Sequence, residues 1–289
     1  MNTYLFINPS SGSHSSEKRL RIVERLRSEG LALQVLEVRN PDEIRANCQT
    51  INRDSQQHLV VVAGGDGTFN ATVNALEPGS ATLAVLPLGT SNVLAAELGI
   101  RSLDDGIARI AAGKSRPLSL GVIELADGSS HRFVLMAGIG LDGAAVRNVV
   151  PLWKKYLRQG GYALSVARTL LSWDSSTFGA VAGGTAVTCH SLIVCNAGRY
   201  AGNFILAPES SLFEEGLTAV CITGNRRRSY AGITFDLFCG TNVAGSGLIR
   251  LSAAEVTIDG SKPIQVDGDF VGYGPARITT LGNFARIIV

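Results

Sequence analysis

The residues Gly64-Gly65-Asp66-Gly67-Thr68 follow an apolar run at 59–63 and precede a helical period at 68–76. Glycines let a backbone turn sharply and approach a phosphate, and the first amides of a helix attract anions, with Thr68 placed to cap that helix. A carboxylate in such a loop is unusual, because Asp66 would repel phosphate directly. Its chemical readings are a magnesium ligand, direct or through water, or the acceptor of a nucleophile's proton. Its plain reading is an Asp that caps a tight strand-to-helix turn. Two further segments share this character: Asn8-Pro9-Ser10-Ser11-Gly12 after the first apolar run, and Pro87-Leu88-Gly89-Thr90-Ser91-Asn92 after the run at 81–86. On parallel strands the three loops share one sheet edge, where α/β folds bind ligands. Together they point to a phosphate-rich ligand.

Other motifs compete. Gly138-Ile139-Gly140-Leu141-Asp142-Gly143 matches the dinucleotide fingerprint GxGxxG, which would make the chain a nicotinamide-dependent enzyme. That unit needs a second strand ending in an acidic residue roughly 20 positions on. The sequence there reads Gly161-Tyr162-Ala163-Leu164-Ser165-Val166-Ala167, a helical pattern. The histidines at 14, 58, 131 and 190 have no metal-ligand spacing, and there is neither a Walker lysine nor a GxSxG. A phosphate site this poor in lysine must lean on magnesium and backbone amides.

The elements that would hold these loops are legible in outline. Short apolar runs at 4–7, 31–38, 59–63 and 81–86 alternate with helical periods at 17–28, 41–48 and 68–76. The run Leu59-Val60-Val61-Val62-Ala63 is apolar on both faces, as in a buried parallel strand. From about residue 119 the segments become strand-like, at 119–125, 132–137, 185–195, 216–223, 255–259 and 277–280, with turns at Asp127-Gly128 and Asp259-Gly260. Helical stretches at 152–173 and 228–238 interrupt them. The expected fold is α/β in two domains: an α/β nucleotide-binding domain with a parallel sheet over 1–118, and a β-rich sandwich over 119–289.

Composition narrows the class. With 289 residues, 45% hydrophobic and 17% charged, and 33 glycines, the chain is globular rather than disordered. A formal charge of +2 excludes a nucleic-acid partner as the expectation. Five cysteines without CxxC spacing fit a reducing cytoplasm, and neither a secretory leader nor an apolar stretch of about 18 residues is evident.

The ordered motifs resemble the diacylglycerol kinase catalytic family, which includes bacterial soluble lipid kinases and sphingosine kinases. The resemblance rests on Asn8-Pro9…Gly12, on Gly64-Gly65-Asp66-Gly67-Thr68…Asn70 and on Pro87…Gly89-Thr90…Asn92. It continues through Gly138-Ile139-Gly140-Leu141-Asp142, Ala207-Pro208…Glu214-Glu215-Gly216-Leu217 and Asp267-Gly268-Asp269, spanning residues 8 to 269. It implies an ATP-dependent lipid kinase whose active site lies in a cleft between an α/β domain and a β-sandwich domain. Carried over by position, Gly64, Gly65, Asp66, Gly67, Thr68 and Thr90 contact ATP, with Asn8 and Asn92 lining the pocket. Asp269 takes the general-base position, with Asp66 as the other catalytic carboxylate. The carbonyls of Leu212 and Leu217 and the carboxylate of Glu215 stand where some bacterial members hold Mg2+.

The chain departs from the family pattern at Ala71 (usually Glu), Val93 (usually Asp), Glu215 (usually Asp) and Asp269 (usually Glu). NAD kinase uses a similar GGDGT loop, and the β-rich second half with Asp267-Gly268-Asp269 favours lipid as acceptor. A degraded scaffold that only binds lipid or nucleotide is the third alternative. The expected partners are a membrane lipid substrate, an anionic inner membrane face contacted peripherally, and a second copy of the chain. The stretch Leu152-Trp153-Lys154-Lys155-Tyr156-Leu157-Arg158 reads equally as an interfacial helix or a core-facing one. Lys154, Lys155, Arg158 and Arg226-Arg227-Arg228 are the cations that would meet the membrane.

Overall fold

The structure, a computed structural model, describes residues 2–12, 15–148, 174–200, 204–227, 229–230 and 248–289. The expected helix at 152–173 and all of 228–238 except Ser229 and Tyr230 lie outside the described residues. The chain forms two compact units, one of Met1–Ser119 with Gly282–Val289, the other of Leu120–Leu281.

In chain order the first unit contains β1 (Asn2–Ile7), α1 (Ser16–Ser28), β2 (Leu33–Glu37), α2 (Pro41–Arg53), β3 (His58–Gly64), α3 (Asp66–Ala75), β4 (Ala81–Pro87), α4 (Val93–Glu97) and α5 (Leu103–Ala112). The next strand, β5 (Ser115–Leu125), leads out of it. The strands run β2-β1-β3-β4, all parallel. β3 is buried at every position, which its continuous apolar run requires of a strand covered on both faces. Leu5, Ile7, Leu59, Val61 and Leu86 pack with Ile22, Leu26 and Ile107 from the helices to form the core. Local chemistry sets the helix starts. Ser15 accepts from the Lys18 amide at α1, Asn40 from Glu43 with Pro41 opening α2, and Ser102 from Asp105 at α5. The chain leaves β1 toward β2, then returns across it to β3. The carboxyl ends of β1 and β3 therefore form a topological switch point.

The second unit continues with β6 (Ser130–Phe133), β7 (Met136–Ile139), α6 (Leu141–Arg147), β8 (Phe178–Ala182), β9 (Thr185–Cys189), β10 (Ser191–Cys195), β11 (Arg199–Tyr200) and β12 (Phe204–Ile205). It closes with β13 (Leu217–Ile222), β14 (Leu248–Ala253), β15 (Glu255–Ile258), β16 (Pro263–Val266), β17 (Asp269–Tyr273) and β18 (Ala276–Ile288). One sheet runs β14-β13-β10-β7-β16-β17, antiparallel at each pairing. Facing it, β18, β15, β8 and β9 form an antiparallel set, with β5 pairing β6. Phe133, Ile139, Leu192, Val194 and Ile264 pack with Phe178, Val256 and Ile278 in the core between them.

Three sequence expectations are corrected. The strand expected at 132–137 is broken, because Asp267 takes the amides of Val134, Leu135 and Met136 out of any ladder. The strand expected at 185–195 breaks at His190, with β9 and β10 in different sheets. The short strand at 277–280 grows into the thirteen-residue β18, whose end lies parallel to β4 through Arg286 and Ile287.

Candidate functional site

The loop after β3 does not use Thr68 as its helix cap. Helix α3 starts at Asp66 with Gly65 as N-cap and no side-chain cap, so Thr68 is its third residue, within the first turn. Its hydroxyl accepts from Asn8 Nδ2 at 2.9 Å, tying the loop after β1 to α3. The carbonyl of Gly64 accepts from the amides of Leu88 and Gly89 at 3.0 and 3.2 Å, tying in the loop after β4. The glycines are matched in space. A Cβ on Gly89 would lie 2.5 Å from Gly65 Cα, and one on Gly12 would lie 2.8 Å from Thr90 Oγ1. A Cβ on Gly64 would meet the Thr68 side chain at 2.8 Å. Asn8, Gly64, Gly65, Thr68, Thr90 and Asn92 thus come together at the carboxyl edge of β1, β3 and β4. Gly67 differs: among the described residues a Cβ there would meet nothing within 4 Å, so their packing does not require glycine.

Asp66 caps a helix, but not its own. Its Oδ2 and Oδ1 accept from the amides of Val93 and Leu94, each at 3.0 Å, closing the start of α4. Each carboxylate oxygen has two lone-pair sites, so acceptor capacity remains toward a ligand. Val93 is buried at α4's first residue, and its amide serves Asp66 where the family pattern would put another carboxylate. Asn92, at φ +47°, donates through Nδ2 to the Gly89 carbonyl, while its Oδ1 is buried without a partner. It borders a cavity of about 10 Å3 lined also by Gly64, Asp66 and Phe69. That is room for one water.

In the second unit Asp269 is exposed at the first residue of β17. β16 and β17 join through Asp267-Gly268, with Val266 opposite Asp269 and both turn residues at positive φ, +46° and +91°. A two-residue hairpin loop demands this, and Asp-Gly supplies it. The Asp267 carboxylate accepts from the amides of Val134, Leu135 and Met136 at 2.7 to 2.9 Å. Gln265 Oε1 accepts from the Gly268 amide at 2.7 Å, and Gln265 Nε2 donates to Asp142 Oδ2 at 2.6 Å.

The glycines at 138–143 serve packing around this hairpin. A Cβ on Gly138 would collide with Asp142 Oδ2, and one on Gly143 with the Pro263 carbonyl. β7, which carries Gly138, pairs antiparallel with both β10 and β16. The parallel unit a dinucleotide fingerprint needs is not formed at this strand.

Glu215 is exposed on the turn before β13, with Gly216 at φ +133° beside it. The side chains of Leu212 and Leu217 are buried, at 1% and 3% exposure, so only their carbonyls could serve a ligand. The donor set is oxygen alone, the kind a hard divalent cation takes. Among the described residues no three His, Cys, Asp or Glu side chains cluster as metal ligands. Magnesium carried on nucleotide phosphates needs only one or two carboxylates, and Asp66 offers one at the loop cluster of the first unit. Sequence reasoning singled out Asp142 and Asp267 only as motif letters and passed over Gln265. The signal available for the hairpin was Asp-Gly between two apolar runs.

Comparison with known proteins agrees with these motifs. Residues 2–123 match the family described as the diacylglycerol kinase catalytic domain, and residues 136–289 the YegS C-terminal NAD kinase beta sandwich-like domain. The chain is 25% identical over 239 residues to the diacylglycerol kinase of Bacillus subtilis (strain 168), across 80% of this chain and 77% of that one. It is 28% identical over 193 residues to a "Probable lipid kinase YegS-like" of Shewanella frigidimarina (strain NCIMB 400), across 62% and 56%. A solved diacylglycerol kinase from Bacillus anthracis str. Sterne superposes with a TM-score of 0.78 at 20% identity, over 99% of this chain and 96% of that chain. With the α/β unit matching one model and the sandwich the other, the chain belongs to the diacylglycerol kinase catalytic family of lipid kinases.

Proposed function

We propose that the chain transfers the γ-phosphoryl group of Mg-ATP to the hydroxyl of a diacylglycerol-like or other long-chain lipid. The observation that carries this is the loop cluster of the first unit, where Gly64 and Gly89 are forced small by packing, Gly65 is tightly approached by Gly89, and Gly67 is left open among the described residues. Backbone amides at a helix start with nothing over them suit phosphate oxygens. Asn8, Thr68, Thr90 and Asn92 would bind and orient the nucleotide. Asp66 would hold Mg2+ there, and Glu215 with the carbonyls of Leu212 and Leu217 would hold a second ion. The metal supplies charge neutralisation of the transferring phosphoryl group. Asp269 would accept the proton of the lipid hydroxyl at its carboxylate as that oxygen attacks phosphorus.

A second reading, NAD as acceptor, is favoured by one finding: the sandwich family is itself described as NAD kinase-like. The β-rich half therefore does not separate the two acceptors. Among the described residues no helix is long and apolar enough to cross a membrane. The proposed location is the cytoplasm, at the inner membrane face. Arg226 and Arg227 would meet anionic headgroups, as would Lys154, Lys155, Arg158 and Arg228, which lie outside the described residues.

The test offers diacylglycerol, a sphingoid base, phosphatidylglycerol and NAD side by side and follows ADP release and labelled product. Lipid-dependent turnover that Asp269→Asn lowers at least about 100-fold is expected. Phosphorylated NAD with no lipid product would replace the reading. ATP binding without product would make the chain a binding protein.

A further inference from the structure

We propose that Asp142, acting through Gln265, is a positioning residue that sets the direction of Asp269; this rests on the reading of Asp269 as proton acceptor. The two side chains are among the few buried polar groups of the second unit, at 8% and 3% exposure. Gln265 bridges Asp142 and the Gly268 amide, with bonds of 2.6 and 2.7 Å. Asp142 Oδ1 in turn accepts from Tyr200 OH at 2.9 Å.

The direction of these bonds carries the argument. A glutamine amide can face either way, and here Oε1 faces Gly268 and accepts from its N–H. An ionised carboxylate only accepts, so Asp142 admits the NH2 end of Gln265 and refuses the oxygen. Asp142 thereby fixes the amide orientation, and the amide fixes the plane of the Asp267–Gly268 peptide. Asp269 is the next residue, exposed, on a turn of two positive-φ residues. The glycine pattern makes room for the arrangement, since a Cβ on Gly138 would collide with Asp142 Oδ2 and lie 2.7 Å from Gln265 Nε2. Asp267 anchors the hairpin to the β6–β7 break from the other side. The hairpin is held at two adjoining points just before Asp269, the Asp267 carboxylate and the Asp267–Gly268 peptide.

The test uses the full chain with D142N, Q265E, the double variant D142N/Q265E, and D269N as reference. Q265E sets two carboxylates against each other, and D142N lets the Gln265 amide turn round. In the double variant the amide introduced at position 142 donates to the carboxylate introduced at position 265. That carboxylate still accepts from the Gly268 amide, and the amide oxygen at position 142 still accepts from Tyr200. The expected result is a kcat about 10- to 100-fold down in each single variant with the KM for ATP unchanged. The double variant should recover to within about threefold of wild type. Hydrogen exchange of the Gly268 amide should quicken in the singles and slow again in the double.

A double variant that regains its melting temperature but not its kcat would overturn the positioning role, as would singles with wild-type kcat. If D269N alone is as active as wild type, the proton-acceptor reading has failed and the role falls with it. If no lipid is phosphorylated at all, unchanged Gly268 exchange in the singles overturns the structural link on its own.

Discussion

Gly67 separates what the loop needs in order to fold from what it needs in order to bind. It is the second residue of α3, and among the described residues a Cβ there would meet no heavy atom within 4 Å. Gly67→Ala therefore brings no clash. It removes backbone freedom from the unfolded chain and should stabilise by about 0.5–1 kcal/mol, raising Tm by roughly 1–4 °C. On the phosphate-binding proposal, the same methyl would compete with a phosphate oxygen at the first turn of the helix. Forcing one extra methyl into a filled site costs about 1–3 kcal/mol, or roughly 5- to 150-fold in Kd for ATP. The matched control is Gly89→Ala. Its Cβ would fall 2.5 Å from Gly65 Cα and 2.8 Å from Asn92 Oδ1, and the first of these is backbone that cannot rotate away. That variant should lose about 1–3 kcal/mol of stability along with affinity.

Thermal melts and titration calorimetry with ATP read both quantities on the same samples. Opposite movement of stability and affinity in Gly67→Ala, beside parallel loss in Gly89→Ala, is the expected signature. A Gly67→Ala protein that melts higher and binds ATP as tightly as wild type would refute the phosphate-cradle argument. The space over α3 would then have no ligand in it.

Asp66→Asn exchanges one amide-accepting oxygen for a donor that faces Val93 or Leu94, and should cost about 1–3 kcal/mol in urea unfolding as well as lowering turnover. Lost turnover at unchanged stability would mean that the α4 cap contributes nothing. Burial holds the pKa of His190 below its usual value, with its ring bonded to Tyr230 OH and the Asp174 carbonyl. The folded state then refuses a proton that the unfolded chain accepts, so this contribution is whole above about pH 6.5 and is lost as pH falls through the lowered folded value. His190→Gln should be less stable at neutral pH but show a flatter decline in urea midpoint between pH 7.5 and 5.5. An unchanged slope would remove His190 from the acid response.

The first unit was legible because its local signals agree. Apolar runs give buried strands, helical periods give α1 to α3, and glycine loops follow β1, β3 and β4, whereas α4 and α5 went unread although Ser102 caps α5. Only short-range preference had to be read there. The second unit was legible as β-rich and little further, for reasons that are not local. Arg132 to Ala137 reads as one strand, and only a carboxylate from Asp267, more than 130 residues on, breaks it. The return of Gly282–Val289 to the first unit has no local signal either, since β18 reads as an ordinary strand along its length. In the loop cluster the residue types were plain, but their division of labour was not. Asp66 capping α4 rather than α3, and Thr68 bonding Asn8 rather than capping, depend on which loops lie side by side.

The acidic residues of the motifs show what such a pattern encodes. Asp66, Asp142 and Asp267 each stand in a glycine-bearing turn, and each spends carboxylate oxygens on hydrogen bonds within its own unit. Asp66 takes two amides of α4, Asp267 takes three amides between β6 and β7, and Asp142 takes Gln265 and Tyr200. Such bonds to an ionised acceptor are about twice as strong as neutral ones, and they fix turns that glycine leaves loose. The pairing of Gly with Asp is thus mechanical as well as chemical: glycine grants the approach, and the carboxylate locks it. Asp269 stands exposed at the first residue of β17, flanked by the half-exposed Phe270 and the Tyr273 ring that packs edge-on against it at 5.5 Å. A proton acceptor for a lipid hydroxyl must be reachable, and it must also be held still. On the proposal made for Asp269, the hairpin would give it reach, and the buried Gln265 and Asp142 with the half-buried Asp267 would hold the turn before it in place.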